Sequence, residues 1–170
     1  FLIRVFEEIH RRKPESALLL VGDGALRADA EKQVRDAGLT DCVFFMGNIA
    51  DVADKMTAAD AMIFPSKYEG FPTVLLEAQA AGLPCLVSNG VPKDCLQTPR
   101  ARQLPLSAPP SKWAEVILAE SKVLSAAPPV LQSFDIRENA RMLTAYYLQK
   151  DTQRRRETAH GSADRVYADV

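Results

Sequence analysis

Apolar and polar positions along this chain follow two rhythms in turn. Leu2, Val5, Phe6 and Ile9 recur at helical spacing and predict an amphipathic helix over Phe1–Arg12. Lys13-Pro14 interrupts it, and the apolar run Ala17–Val21 reads as a strand. A helix is expected at about Leu26–Ala37, ended by Gly38, then a strand at Val43–Met46 and a short helix near Val52–Thr57. Ala61–Phe64 is a second short apolar run, broken by Pro65, Ser66 and Gly70. Pro72 suits a first helical position, where its missing N–H costs nothing. Val74, Leu75, Ala78 and Ala81 then mark one buried helical face, which Gly82 and Pro84 close. Cys85–Ser88 is the next strand, completing a βαβ unit. Residues 90–110 are rich in proline, with a short strand around Gln103–Leu106, and helices follow at about Ser111–Ser125 and Ile136–Leu148. Strands alternating with helices predict a parallel sheet with helices on both faces, in one α/β domain over residues 1–149. Residues 150–170 are polar, with a basic triplet Arg154–Arg156 and no apolar period, and are expected to be a mobile, solvated tail.

Composition narrows the class without naming a chemistry. At 170 residues, 47% hydrophobic and 25% charged, the chain is ordinary for a globular domain with a sizeable core. A formal net charge of -1 offers no electrostatic case for nucleic acid as a partner. No apolar run approaches the ~20 residues of a membrane span. The three cysteines form no CxxC pair, which argues for a reducing compartment and against a zinc site. Cys42 and Cys85 fall at or near strands and read as small core residues, whereas the pattern assigns Cys95 no place. His10 and His160 have no nucleophile partner in sight, so a Ser–His–Asp or Cys–His site is not supported. There is also no DxD motif, so no metal is expected.

The richest stretch runs from Pro65 to Asn89, PSKYEGFPTVLLEAQAAGLPCLVSN. Glu69 lies in the loop before a short helix, and Glu77 lies about one turn inside it. A rise of ~1.5 Å per residue puts Glu77 only ~7 Å deeper than Pro72. Both carboxylates can therefore border one cleft at the C-terminal end of the preceding strand, where open α/β sheets bind ligands. Gly70, Phe71 and Pro72 form a tight turn that aims backbone N–H groups above the helix. Carboxylates for hydroxyls and amides for phosphates suit a nucleotide sugar. Alone, each residue has a plainer reading: Glu77 as a solvated helix position, Glu69 as a complement to the helix dipole, Gly22 and Gly24 as turn glycines. A glycosidase acid and nucleophile would need more of a site than the sequence supplies.

This stretch resembles the E-x7-E signature of retaining GT-B glycosyltransferases, specifically the large group-4 family of nucleotide-sugar-dependent enzymes. The resemblance runs from about Phe1 to Gln149 and includes ALLLVGDG at Ala17–Gly24, VFFMGNI at Val43–Ile49, Ala59–Phe64 and GLPCLVSN. The later segments Ser111–Leu118 and Phe134–Tyr147 are similar to the bacterial exopolysaccharide and capsule branch. The fold implied is Rossmann-like and doubly wound, the C-terminal half of a GT-B enzyme. By the resemblance, Glu77 would accept hydrogen bonds from the donor ribose, and Glu69 would contact the transferred sugar and act in catalysis. Amides around Gly70, Phe71, Thr73 and Val74 would face the diphosphate, although Pro72 stands where many members have glycine. Asn48, Ile49 and Asp51, in the loop Gly47–Asp51, would border the nucleobase, Ile49 being equally suited to the core. Gly22 and Gly24 would lie beside the donor. Lys67 and Tyr68 flank the site, with no role implied.

The resemblance also implies what the chain is expected to lack. The apolar stripe of its first helix is under way at Phe1, with no initiator methionine and no signal-peptide pattern, as in a fragment. In the resembled domains the first strand, and a loop with an Arg and a Lys for the diphosphate, would precede Phe1. That strand would be central in the order 3-2-1-4-5-6, between the strands near Ala17 and Ala61. The acceptor-binding N-terminal domain would also be absent, and the fragment alone is expected to be inactive. The expected parent enzyme moves sugar from a nucleoside diphosphate to a lipid-linked or polysaccharide acceptor, without metal or other cofactor. It is expected to be cytoplasmic, at the inner face of the membrane. The alternatives are a non-catalytic nucleotide- or sugar-binding module and an NDP-sugar epimerase of the same build.

Overall fold

The structure is a computed structural model that describes residues 1–121 and 134–163, with side chains described in 1–120 and 134–154. The chain divides into two units, Phe1–Pro129 and Val130–Val170. In the first unit the order is α1 (Leu2–Arg12), β1 (Leu18–Val21), α2 (Arg27–Asp36), β2 (Val43–Gly47), α3 (Val52–Ala58), β3 (Met62–Phe64), α4 (Thr73–Ala80), β4 (Cys85–Ser88), a 3-10 turn (Lys93–Cys95), β5 (Ala101–Leu104) and α5 (Pro110–Ser121). The described part of the second unit contains α6 (Ile136–Ala163).

Among the described residues the named strands pair in parallel, in two sheets, β1-β2 and β3-β4-β5. Leu18 pairs with Val43, Met62 with Cys85, and Cys85 in turn with Ala101. β1 and β3 do not pair. The interruption lies between the two strands that the expected order separates by one more strand.

Alternation along β4 explains why helices lie on two sides. Its four residues are all buried, but successive side chains of a strand point to opposite faces. Leu86 joins one core with Ile3, Val5, Phe6 and Ile9 of α1, Val34 of α2, and Trp113, Ala114 and Ile117 of α5. Cys85 and Val87 join another with Met56 of α3, Leu75 and Ala78 of α4, and Val91 and Cys95. The Trp113 indole is fully buried, donates from Nε1 to the Pro105 carbonyl at 3.3 Å and meets the Phe1 ring edge-on. Leu19, Val21 and Phe44, in contrast, leave an apolar part of the β1-β2 sheet exposed.

Several boundaries differ from the expectation, each for a local reason. Pro72 is the N-cap of α4, in extended conformation, and the first helical residue is Thr73. β5 lies two residues earlier than expected, because pairing with Cys85–Ser88 sets its register and Pro105 ends it. Pro92 introduces the 3-10 turn, which no apolar period announces and which buries Cys95. The helix expected to stop at Leu148 continues to Ala163, through the triplet Arg154–Arg156 placed in a mobile tail. That stretch is rich in Gln, Lys, Arg, Glu and Ala, good helix formers that carry no hydrophobic period. The expected end of the helix after Ser121 lies outside the described residues.

Candidate functional site

The loops leaving β1 and β2 meet. The Gly22 N–H donates to the Gly47 carbonyl at 2.8 Å, closing an isolated antiparallel bridge between the residue after β1 and the end of β2. Gly22 holds φ at 114°, a backbone that a side chain would strain, so the turn after β1 requires glycine. Gly24 donates its N–H to Asp23 Oδ1 at 2.8 Å. Arg27, on the first turn of α2, lies beside this junction and was not singled out by the sequence reading. Its Nη1 bonds Asp23 Oδ2 at 3.2 Å, its Nε bonds Glu31 Oε1 at 2.9 Å, and its guanidinium lies 5.7 Å from the Phe45 ring centre. Hydrogen bonding to Glu31, with help from Asp23, raises its pKa and keeps it cationic.

The following loop, Gly47–Asp51, leads into α3. Asn48 is exposed, while Ile49 is half-buried and belongs to neither core cluster, leaving a face toward solvent. Asp51 Oδ2 is engaged by Lys55 Nζ at 3.0 Å. The hydrogen bond from Lys55, then a backbone N–H and the lysine charge, hold the Asp51 carboxyl below its ordinary pKa. α3 packs beside α4 through Met56, Leu75 and Ala78.

The loop from β3 into α4 carries Glu69. Ser66 Oγ donates to Glu69 Oε1 at 2.6 Å, and the Glu69 N–H donates to the Gly90 carbonyl at 3.0 Å. Ser88 Oγ, at the end of β4, donates to the Ser66 carbonyl, and the Gly90 N–H donates back to Ser88 Oγ at 3.2 Å. Glu69 is half-buried, and Oε2 has no partner among the described residues. Tyr68 and Phe71 beside it are exposed. Ser66, Ser88 and Gly90 were also not singled out as site residues. The Ser-x-x-Glu spacing is the one local signal that could have shown part of this arrangement.

α4 itself supplies the remaining residues. No side chain caps its N-terminus, and its first amides, Thr73 and Val74, lack carbonyls one turn earlier within the helix. Positive partial charge from the helix dipole is greatest there. Glu77 is exposed, and none of the described residues donates to its carboxylate. On the opposite side, Gln79 is fully buried. Its Nε2 donates to the Leu75 and Cys95 carbonyls at 3.1 and 2.8 Å, and its Oε1 accepts from the Gln97 and Thr98 N–H groups at 2.7 and 3.1 Å. Gln79 thus fastens α4 to the segment after the 3-10 turn, with Glu77 facing water.

The sequence-predicted residues therefore gather at the strand ends as two groups. Gly22 meets Gly47 in one, with Gly24 two residues on in the same loop and Asn48, Ile49 and Asp51 continuing the loop after β2. Glu69, Gly70, Phe71, Thr73, Val74 and Glu77 occupy the loop and first turns of α4. The two glutamates share no hydrogen-bond partner among the described residues. No group of three or more His, Cys, Asp or Glu side chains there is arranged to hold a metal ion, and no described helix is long and apolar enough to cross a membrane. Chemically, this is a surface of open carboxylate oxygens and helix-end amides.

Known proteins are similar to this chain in sequence or in fold. The family described as "Glycosyl transferases group 1" matches residues 1–94. EpsF of Bacillus subtilis (strain 168) is 36% identical over 118 residues, 69% of this chain and 31% of that protein. The UDP-Gal:alpha-D-GlcNAc-diphosphoundecaprenol alpha-1,3-galactosyltransferase of Escherichia coli is 38% identical over 84 residues, 49% of this chain and 22% of that enzyme. Among solved structures, the pneumococcal O-GlcNAc transferase GtfA in complex with UDP and GlcNAc aligns with TM-score 0.59 and 20% identity, over 71% of this chain and 24% of GtfA. The chain thus spans less than a third of the length of these proteins. The GT-B architecture is shared.

Proposed function

This chain belongs to the glycosyl transferases group 1 family, and from that premise we propose that it is the donor-binding half of a retaining glycosyltransferase. The parent enzyme moves a sugar from a nucleoside diphosphate to an acceptor hydroxyl in polysaccharide or related glycan synthesis. One observation carries the reading most: Glu69 has one oxygen held by Ser66 and the other open, at the uncapped entrance of the helix that presents Glu77 to solvent.

Each part has a physical role. Glu77, with no donor competing for it among the described residues, accepts the two ribose hydroxyls. Glu69 Oε2 accepts hydroxyls of the donor sugar and positions it. Thr73 and Val74 N–H groups, with those of Gly70 and Phe71, receive the diphosphate at the positive end of the α4 dipole. As the glycosidic bond breaks, negative charge grows on the leaving diphosphate, and these fixed dipoles stabilise it without a metal. Ile49, Asn48 and Asp51 border the base, and Gly22 and Gly24 allow the donor to approach the backbone. GtfA holds UDP, which supports a uridine nucleotide as the first donor to try. The lipid diphosphate in the name of the Escherichia coli relative supports a lipid-linked acceptor, and we place its use at the cytoplasmic face of the membrane. An N-terminal domain of the same protein would supply the acceptor site.

The test is stereochemical. The complete polypeptide bearing this sequence is incubated with UDP-sugars and acceptor, and the anomeric configuration of the product is read by NMR. Transfer with retention is expected. Inversion, or epimerised nucleotide sugar without transfer, would refute the proposal.

A further inference from the structure

We infer that Ser66, Ser88 and Gly90 form a latch that positions Glu69, with Ser66 selecting which carboxylate oxygen meets the sugar. The inference rests on the role of Glu69 proposed above and adds the residues that set its direction.

The latch joins the exits of neighbouring parallel strands. β3 and β4 pair through Phe64 and Val87, and the chain beyond each remains in contact. Ser88 Oγ donates to the Ser66 carbonyl, and the Glu69 N–H donates to the Gly90 carbonyl at 3.0 Å. Those two bonds fix the Ser66–Glu69 loop at both ends. Gly90 is where the loops pass closest: a Cβ there would lie 2.3 Å from the Lys67 carbonyl oxygen and 2.9 Å from that of Ser66. Both are backbone atoms, so any side chain at position 90 must push the Glu69 loop away.

Ser66 then acts on the carboxylate. Its hydroxyl has one hydrogen and two acceptors in reach, Glu69 Oε1 at 2.6 Å and the Tyr68 carbonyl at 3.2 Å. Distance and charge both favour the carboxylate. A carboxylate fixed at Oε1 presents Oε2 in one direction, whereas a free one samples several rotamers. Holding a side chain in its productive geometry favours turnover with sugar donors and leaves bare-nucleotide binding unaffected. Ser66 is thus a positioning residue, acting through Glu69.

The test uses the complete polypeptide bearing this sequence and five variants: Ser66→Ala, Ser66→Thr, Glu69→Ala, the Ser66→Ala/Glu69→Ala double variant and Gly90→Ala. For each, kcat and KM are measured with a UDP-sugar, and Kd with UDP. Ser66→Ala is expected to lower kcat about tenfold, the scale of one hydrogen bond to a charged group. Kd for UDP should stay within about twofold, and Ser66→Thr, which keeps the hydroxyl, should recover most of the rate. With Glu69→Ala already present, Ser66→Ala should change kcat less than about twofold, since the two act as a unit. Gly90→Ala should also lower kcat at unchanged Kd. The inference is overturned if Ser66→Ala leaves kcat intact, or if its full loss persists beside Glu69→Ala. If Glu69→Ala itself leaves kcat unchanged, the role of Glu69 falls and the latch falls with it.

Discussion

At Glu77 no group among the described residues competes for the carboxylate, so a ligand hydroxyl would replace only water. Truncation there should weaken binding without disturbing the fold. Glu77→Ala is expected to raise the Kd for the bound nucleoside diphosphate about tenfold by calorimetry, with the melting temperature unchanged. Glu69→Ala should leave bare-nucleotide affinity within about twofold and remove most turnover with sugar donors. Equal effects on nucleotide binding would contradict these separate roles. The thiols give a second prediction at this scale. Burial pushes Cys85 up to about 12 and raises Cys95 and Cys42. A buried thiol that resists ionising stabilises the fold below its unfolded value near 9. That contribution is lost as pH rises from there toward about 12, because only the unfolded chain ionises freely. Cys85 should therefore react with thiol reagents at pH 8 only after denaturation. Fast labelling of the native chain at Cys85 would contradict its packing. The pair of glutamates was legible in the sequence because Pro65, Gly70 and Pro72 punctuate their surroundings. The latch on Glu69 was not, since Ser88 lies 22 positions from the carbonyl it holds.

Elements bounded by glycine or proline were read well, and those bounded by pairing or propensity less well. α4 ends where Gly82 and Pro84 end it, and β4 matches the apolar run Cys85–Ser88. β5 moved because its register belongs to β4, and α6 lengthened because its polar half has helix formers without a stripe. Gln79 shows a third limit. Nothing in EAQAAG marks a buried amide, yet all its hydrogen-bonding groups meet backbone partners, in α4 itself, at the end of the 3-10 turn and just after it. Gln79→Ala would leave the Cys95 carbonyl and the Gln97 and Thr98 N–H groups unpaired. It should cost about 2–4 kcal/mol in urea unfolding with unchanged m-value. A loss below about 1 kcal/mol would mean that water replaces the amide without penalty.

Across the first unit, parallel strands with helices packed on both sides agree with the architecture expected from the alternating pattern, and the lack of pairing between β1 and β3 agrees with the strand order that the resemblance implied. What the pattern did not show is how much apolar surface stays open at Leu19, Val21 and Phe44. Stabilisation of the leaving group by helix-end amides requires no metal. Turnover of the complete polypeptide should survive exhaustive chelation with EDTA, and loss restored by a divalent ion would contradict it. The central claim is that donor nucleotide binds across the loops after β1, β2 and β3. The most direct measurement is an amide ¹H–¹⁵N spectrum of this chain titrated with UDP, GDP and ADP. Saturable, base-selective shifts at Gly22, Gly24, Asn48–Asp51 and Glu69–Glu77 are predicted. A well-dispersed spectrum with shifts confined to other residues, or with none for any nucleotide, would contradict the account.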